Sequence, residues 1–207
     1  MHKELSKTLR SRIIENGRLV FVGKYFGMVQ TIEKTEMNEE ISIRKRFPVA
    51  TESIVDGICS SHQQFAIPDS ALKGILYFED QGTFENGNVR SGNNFQFTSN
   101  LRLVCWINRK KVVSNQFSEI TGLAINDILQ KLEVNKNPRS EGMFSNISVA
   151  VQRIPIQDAQ IFSKYTYDES VTQFLMVPFE FFAIDLVVKY SINGSCMNSI
   201  TLNPSQC

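Results

Sequence analysis

The sequence FFAIDLVVKYSI, residues 181–192, is the clearest indication of the fold. Large apolar side chains occupy every second position: Phe182, Ile184, Leu186, Val188, Tyr190 and Ile192. A period of two predicts a β-strand with one buried face. Residues 101–107 (LRLVCWI) alternate in the same way, with Leu101, Leu103, Cys105 and Ile107 on one side and Arg102, Val104 and Trp106 on the other. Both segments are therefore expected to be strands of a β-sheet.

Further strands are predicted over 19–32, 41–44, 72–78 and 147–156, from their β-branched and aromatic residues. The polar stretch 33–40 is predicted as a loop, and Phe47–Pro48 should limit the strand that begins at Ile41. Residues 80–100 are rich in Gly, Asn and Ser, and Asn86-Gly87 could form a tight turn. They predict a long irregular arm that joins the strands on either side into a hairpin.

Two substantial helices are predicted. Leu5, Leu9 and Ile13 recur every four residues over 3–16, and Gly17 is a suitable end signal. The second helix is predicted over 117–134, where one apolar face comprises Phe117, Ile120, Ala124, Ile128 and Leu132. Asp158 is expected to cap a short helical turn that ends near Phe162.

This order of elements predicts an α+β fold, with a largely antiparallel sheet, the two main helices packed on one face, and a long hairpin arm. We expect one domain over 1–192, with the arm at 80–100, followed by a polar C-terminal tail over 193–207.

The composition excludes several classes of protein. The 207 residues include 22 Lys and Arg and 21 Asp and Glu, which gives a net charge of +1. No apolar run is long enough to span a bilayer. Bulk charge therefore predicts neither general nucleic-acid binding nor membrane binding. The net charges of residues 1–50, 51–100, 101–150 and 151–207 are +4, −4, +3 and −2. This alternation is either ordinary surface scatter or two faces of opposite sign suited to head-to-tail self-association.

No catalytic or metal-binding constellation is evident, and the glycine-rich motifs that cradle phosphates are absent from the sequence, so the protein is predicted not to be an enzyme. Cys59 and His62, with Asp56 nearby, form the one close cysteine–histidine pair, a weak signal for a nucleophile and base. The adjacent carboxylates Glu79-Asp80 and Asp168-Glu169 are interpreted as solvated or capping groups at element ends. The cysteine spacings indicate a reducing compartment without structural disulfides.

Three groups of residues are candidates for binding. The basic triplets Arg44-Lys45-Arg46 and Arg109-Lys110-Lys111 end predicted strands, and could contact DNA or an acidic partner, or simply solubilise the strand ends. The arm is a candidate subunit interface through Phe84, Arg90, Phe95 and Phe97. Alternatively, these aromatic side chains fold back onto the domain's own core.

The segments YTYDE, residues 165–169, and VPFEFFAID, residues 177–185, resemble the closing region of the tail-terminator and head–tail connector proteins of tailed bacteriophages. The proteins that these segments resemble are those of phages of Bacteroidetes, including crAss-like phages. The resemblance implies a structural virion protein without a cofactor, made in the host bacterial cytoplasm. Such proteins form six- or twelve-fold rings between portal and tail, with double-stranded DNA in the lumen. The arm and the tail would then contact neighbouring subunits, or adjacent portal, connector or tail proteins.

Two other hypotheses remain at this stage. One is a small nucleic-acid-binding or regulatory module that uses the basic triplets. The other is a cysteine hydrolase centred on Cys59 and His62.

Overall fold

A computed structural model describes residues 1–38, 41–50, 52–55, 58–60, 62–86, 94–114, 119–167 and 175–193. Its helices are α1 (His2–Glu15), α2 (Arg109–Val112) and α3 (Thr121–Lys131). Its strands are β1 (Lys24–Asn38), β2 (Ile41–Ala50), β3 (Ser53–Val55), β4 (Ile58–Ser60), β5 (Gln64–Phe65), β6 (Gly74–Asn86), β7 (Asn94–Asn108), β8 (Arg139–Glu141), β9 (Phe144–Arg153) and β10 (Phe179–Asn193).

The strands form one large sheet in the order β4-β3-β1-β6-β7-β10-β9-β8, and β2 pairs with β1 and β5 beside it. Among the described strands, β1 and β6 run parallel and every other pairing is antiparallel. The prediction of an α+β fold with a mostly antiparallel sheet is thus confirmed. The two strands with the strongest alternation, β7 and β10, pair over their whole lengths at its centre.

Both main helices contribute to a single core on one face of this sheet. Leu5, Leu9 and Ile13 of α1 are fully buried there, together with Ala124, Ile128 and Leu132 on and just after α3. The apolar faces predicted for β7 and β10 line the same core. Arg12 links the two helices, because its Nη1 donates to the carbonyl of Leu132 at 3.2 Å.

An aromatic core lies on the other face of the sheet, over part of its area. It includes Trp106, Phe162, Tyr165 and Phe181, and the rings of Trp106 and Phe179 stack 5.3 Å apart. Residues 154–167, which we call the strap, follow β9 and pack Ile161, Phe162 and Tyr165 into this core. The strap contains a 3-10 turn, Ala159–Ile161, whose N-terminal amide is capped by Asp158, as predicted.

Two segments predicted as loops, 33–40 and 80–100, are largely strands where the structure describes them. Residues 33–38 continue β1 and pair with β2, so the polar composition of 33–40 was misleading. Neither face of this segment is buried at Glu33, Lys34 and Thr35, so it lacks the apolar alternation that identifies most strands.

Pro48 does not end β2, although the sequence predicted that it would limit this strand. Pro48 pairs with Thr31 on one side, and pairing with β5 on the other side begins at Val49.

The predicted irregular segment 80–100 is likewise mostly β-structure, since β6 extends to Asn86 and β7 begins at Asn94. The hairpin itself is confirmed, while the Asn86-Gly87 turn lies outside the described residues. The first predicted strand, 19–32, begins late, at Lys24, because residues 19–23 form turns in which the amide of Gly23 donates to the carbonyl of Gly74.

The second main helix is shorter than predicted. It begins at Thr121 and ends at Lys131, and Glu133 and Asn135 adopt positive φ angles of 56° and 58° that end it. Residues 119–120 precede the helix, and Phe117 lies outside the described part of the chain. The tail beyond Asn193 also lies outside it.

Candidate functional site

The outer part of the β1–β2 hairpin is a two-stranded ribbon, in which residues 30–38 pair with 41–49. Pairing between β1 and β6 ends at Val29, so the ribbon leaves the main sheet at that point. At 3.3 Å per residue, nine pairs give a length of about 30 Å. Glu33, Lys34 and Thr35 are consecutive and all exposed. Because successive side chains of a strand point to opposite faces, both faces of the ribbon meet solvent here.

The first basic triplet lies on this ribbon, as part of β2. Arg44 and Arg46 are exposed, and Lys45 is half-buried. The Nε of Arg46 donates to Glu33 on the opposite strand at 2.8 Å, while its carbonyl accepts from the amide of Thr166 in the strap. The strap therefore holds the base of the ribbon, and Arg44 lies beyond that contact.

The predicted interface residues of the arm occupy different environments. Phe97 is a core residue rather than an exposed anchor, because its ring packs 5.6 Å from that of Tyr190 and its side chain is buried. Phe95 is half-buried against the same core. Phe84 pairs with Ser99 in the sheet, but its side chain, like the whole of Arg90, lies outside the described residues.

The base of the arm is held by Asp80. One carboxylate oxygen accepts from the amide of Gly82, whose φ is +72°, at 2.8 Å, within an irregularity between Asp80 and Phe84. The other oxygen lies 2.6 Å from Nδ1 of His2 in α1. Burial raises the pKa of Asp80, but the bonds from His2 and Gly82 lower it by more, so it falls below its usual value. Asp80 is exposed, but it lies within β6 and not at the end of an element as predicted.

Its neighbour Glu79 is not solvated, contrary to the prediction. The side chain is buried; Oε1 accepts from the Tyr165 hydroxyl at 2.6 Å, and Oε2 lies 2.7 Å from the Lys164 ammonium. Burial raises the pKa values of Tyr77, Tyr165 and Tyr167 around this carboxylate, and the negative charge of Glu79 adds to the effect. The cluster pins the strap to β6. In the sequence Glu79 stands next to the exposed Asp80, and nothing there indicates that Glu79 is buried.

The second basic triplet does not form a single surface. Arg109 is buried in α2, where Nη1 lies 3.2 Å from Glu180 and Nε donates to the carbonyl of Pro178. Lys111 donates to the carbonyl of Ala71 at 2.7 Å, and Lys110 is exposed. Arg109 is thus a structural residue, because the buried Glu180 requires a cation beside it.

The sheet face that carries the aromatic core is polar around Asp185, and within the described residues two grooves lie along this part of it. Asp185 of β10 accepts from Nε of Arg102 at 2.6 Å and from Nε of Arg153 at 2.5 Å. Burial raises the pKa of Asp185, but these two hydrogen bonds lower it by more. A groove of about 340 Å³ runs past Asp185 and Arg153, and another of about 320 Å³ lies along Thr98, Ser148 and Lys189.

The remaining candidate chemistry is dispersed. His62 is exposed, whereas the side chain of Cys59 and the whole of Asp56, Asp168 and Glu169 lie outside the described residues. Cys105 is buried in the helix-side core, where burial raises the pKa of its thiol. In the described ranges, no group of three or more His, Cys, Asp or Glu side chains could hold a metal ion.

The fold and surfaces define a mixed α+β protein with a projecting ribbon. The chain matches no protein-family model, and no curated protein sequence is significantly similar to it. Within the described part of the chain, no helix is long and apolar enough to cross a membrane.

Proposed function

We propose that this protein is a structural subunit that assembles with copies of itself into a ring, at the head–tail junction or tail top of a bacteriophage. The ring would join the portal or connector to the tail around the DNA channel, with six- or twelve-fold symmetry. One structural observation supports the self-association: a ribbon of about 30 Å leaves the main sheet, and both of its faces are exposed at Glu33, Lys34 and Thr35. The phage setting rests on the sequence resemblance at 165–169 and 177–185.

The ribbon needs a partner for physical reasons. An isolated two-stranded hairpin is marginally stable in water, since it buries little apolar surface. The strap supports the base of this ribbon through Thr166 and Arg46, and the Lys34 ammonium lies 4.6 Å from the centre of the Phe65 ring. Thr35 and Arg44 are exposed. Packing against a neighbouring subunit would bury these strands.

The composition of the ribbon favours a specific, polar contact. Charges of both signs lie close together on the ribbon, with the bases Lys34, Arg44 and Arg46 in excess over the acid Glu33. Charged edges discourage indiscriminate strand pairing while allowing a matched partner surface. A contact between the ribbon of one copy and a different surface of the next is heterologous, and such contacts close into rings when the rotation permits.

Native mass spectrometry and negative-stain microscopy of the full chain test the proposal. We expect rings of six or twelve subunits. Reversing two exposed ribbon charges, Lys34→Glu with Arg44→Glu, should dissociate them while leaving the fold intact. The matched control, Lys110→Glu with Lys136→Glu, changes the net charge equally at exposed sites off the ribbon and should still assemble. A wild-type chain that stays monomeric at the highest attainable concentration would refute self-association.

Nucleic-acid binding through the basic triplets is the alternative. Its support is reduced, since Arg109 faces inward, but Arg44 remains exposed on the ribbon. This alternative requires binding to duplex DNA that weakens steeply with salt and is lost in the ribbon double variant. Binding that is unaffected by salt would exclude it.

A further inference from the structure

Three basic side chains of α1 converge on one carboxylate. Lys3, Lys7 and Arg10 are spaced four and three residues apart, which places them on one side of the helix. Lys7 Nζ lies 2.9 Å and Lys3 Nζ 3.4 Å from Oε1 of Glu52, and Arg10 Nη2 lies 3.7 Å from Oε2. This group, which we call the α1 cation cluster, does not take part in the ribbon.

Arg10 is incompletely satisfied in this cluster. Its side chain is 1 % exposed, and its Nε and Nη1 have no hydrogen-bond partner among the described residues. The 3.7 Å separation from Glu52 is too long for a hydrogen bond, and Glu52 Oε2 also has no hydrogen-bond partner. Because Nε carries one N–H and Nη1 carries two, three buried charged donors have no acceptor. Such groups are costly unless a water, ion or ligand satisfies them.

The charges of the cluster are also unbalanced. Three cations share the Glu52 carboxylate, and the other nearby acid, Glu4, reaches Lys7 at 3.3 Å with a half-exposed side chain. Burial lowers the pKa of Arg10, opposed by the charge of Glu52. By contrast, Asp185 accepts directly from both of its arginines. The cluster thus has unsatisfied hydrogen-bond donors and an excess of positive charge, both of which favour binding of an anion.

We propose that Lys3, Lys7 and Arg10 form a binding site for a phosphate-type oxyanion, either inorganic phosphate or the terminal phosphate of a larger molecule. A tetrahedral oxyanion offers several acceptors, which matches two ammonium groups and an N–H donor of the Arg10 guanidinium. Lys3 is half-exposed and marks the entry, while Lys7 and Glu52 lie deeper. The anion competes with the Glu52 carboxylate for Lys7 and reaches the donors of Arg10 that Glu52 leaves without a partner.

Thermal unfolding at constant ionic strength tests this site, with phosphate replacing chloride. Phosphate should raise the midpoint of the full chain in a saturable manner, because it binds the folded state. The double variant Lys3→Met with Lys7→Met should bind phosphate at least about tenfold more weakly, since two charge-assisted contacts are lost. Glu52→Gln should bind it more tightly, because the competing carboxylate is neutralised.

Lys136→Met is the matched control, an exposed lysine remote in sequence from α1, and should leave phosphate binding unchanged. Adenosine monophosphate and adenosine identify the source of the anion: a terminal phosphate predicts stabilisation by the monophosphate and none by the nucleoside. A phosphate effect no larger than that of chloride, or equal effects in the lysine double variant and the control, would overturn the proposal. Native mass spectrometry of the same variants reports assembly separately, so failure here leaves the ring proposal standing.

Discussion

Two acidic residues of β10 show how single side chains join elements that are distant in sequence. Glu180 is buried and accepts hydrogen bonds from the amide of Ile120 and the hydroxyl of Thr121, at the start of α3. Arg109, the first residue of α2, supplies the opposing charge. Asp185, five residues later, joins β7 to β9 through two arginines. The first cluster fixes where α3 begins, and the second holds the polar part of the sheet.

Replacing Arg109 with methionine should destabilise the protein by about 3 kcal/mol, because a buried carboxylate would lose its cation. Lys110→Met, one residue along the same short helix, should change the free energy of unfolding by less than about 0.5 kcal/mol, since that side chain is exposed. Urea denaturation measures both values. Similar losses in the two variants would show that Glu180 does not depend on Arg109.

Asp185 should make the stability of the protein depend on pH in the acid range. Its pKa in the folded state lies below the usual value, so the unfolded chain binds the proton more readily. The stability that it contributes is complete above the unfolded pKa of about 4, and is lost as the pH falls through the folded pKa.

The variant Asp185→Asn should therefore show a smaller decrease in urea midpoint between pH 5 and about pH 3 than the wild type. Some slope should remain, since the pKa of Asp80 is also lowered. The exposed Glu119→Gln serves as the control and should retain the wild-type slope. An unchanged slope in Asp185→Asn would contradict this assignment.

At the scale of elements, two glycines should respond to alanine with opposite signs. A Cβ at Gly74, the first residue of β6, would lie 2.4 Å from the carbonyl oxygen of Phe21 and 2.6 Å from that of Trp106. Backbone must move to admit it, so Gly74→Ala should destabilise by about 2 kcal/mol or more. A Cβ at Gly122 in α3 meets nothing within 4 Å, and Gly122→Ala should stabilise by about 0.5–1 kcal/mol. Thermal and urea unfolding compare the pair, and equal signs would refute the reasoning.

The elements that could be predicted from the sequence are those that bury a regular row of apolar side chains, even where the opposite face of the strand is also buried, as in parts of β7 and β10. β7, β10 and α1 each bury one regular row of apolar side chains, so their periodicity is visible. The outer part of β1 was missed because both its faces are exposed at Glu33–Thr35, and pairing with β2 defines it instead. The start of α3 depends on Glu180, sixty residues away along the chain, which local periodicity does not reveal.

The candidate sites also differ in how far the sequence alone could reveal them. The basic triplets are contiguous in sequence, yet one is split by the inward turn of Arg109. Conversely, the Arg102–Asp185–Arg153 cluster draws on three strands, and the α1 cation cluster becomes a site only when Glu52 is brought beside it. Their residues are ordinary surface charges until strand order and register are known. The alternation of Asp185 with apolar neighbours predicted its face, but not its partners.

At the scale of the whole molecule, the features favour a subunit that is completed by contacts with other subunits. The apolar side chains of the sheet are buried within the subunit, because the helices cover one face and the strap covers part of the other. Within the described residues, the ribbon is exposed at Glu33, Lys34, Thr35 and Arg44, and the polar face around Asp185 borders grooves. This difference between a packed core and an exposed ribbon leads to a prediction that separates assembly from folding.

Hydrogen exchange should be protected in the ribbon only when subunits associate. In the dissociated ribbon double variant, amides of residues 30–38 and 41–46 should exchange rapidly, because two exposed strands open at little cost in free energy. Amides of β7 and β10, paired throughout their lengths at the centre of the sheet, should stay protected in both states. Mass-spectrometric exchange on assembled wild type and on the variant measures both regions. If the ribbon exchanged equally in the two states, its stability would be internal to the subunit, and the argument that it requires a neighbouring copy would fail.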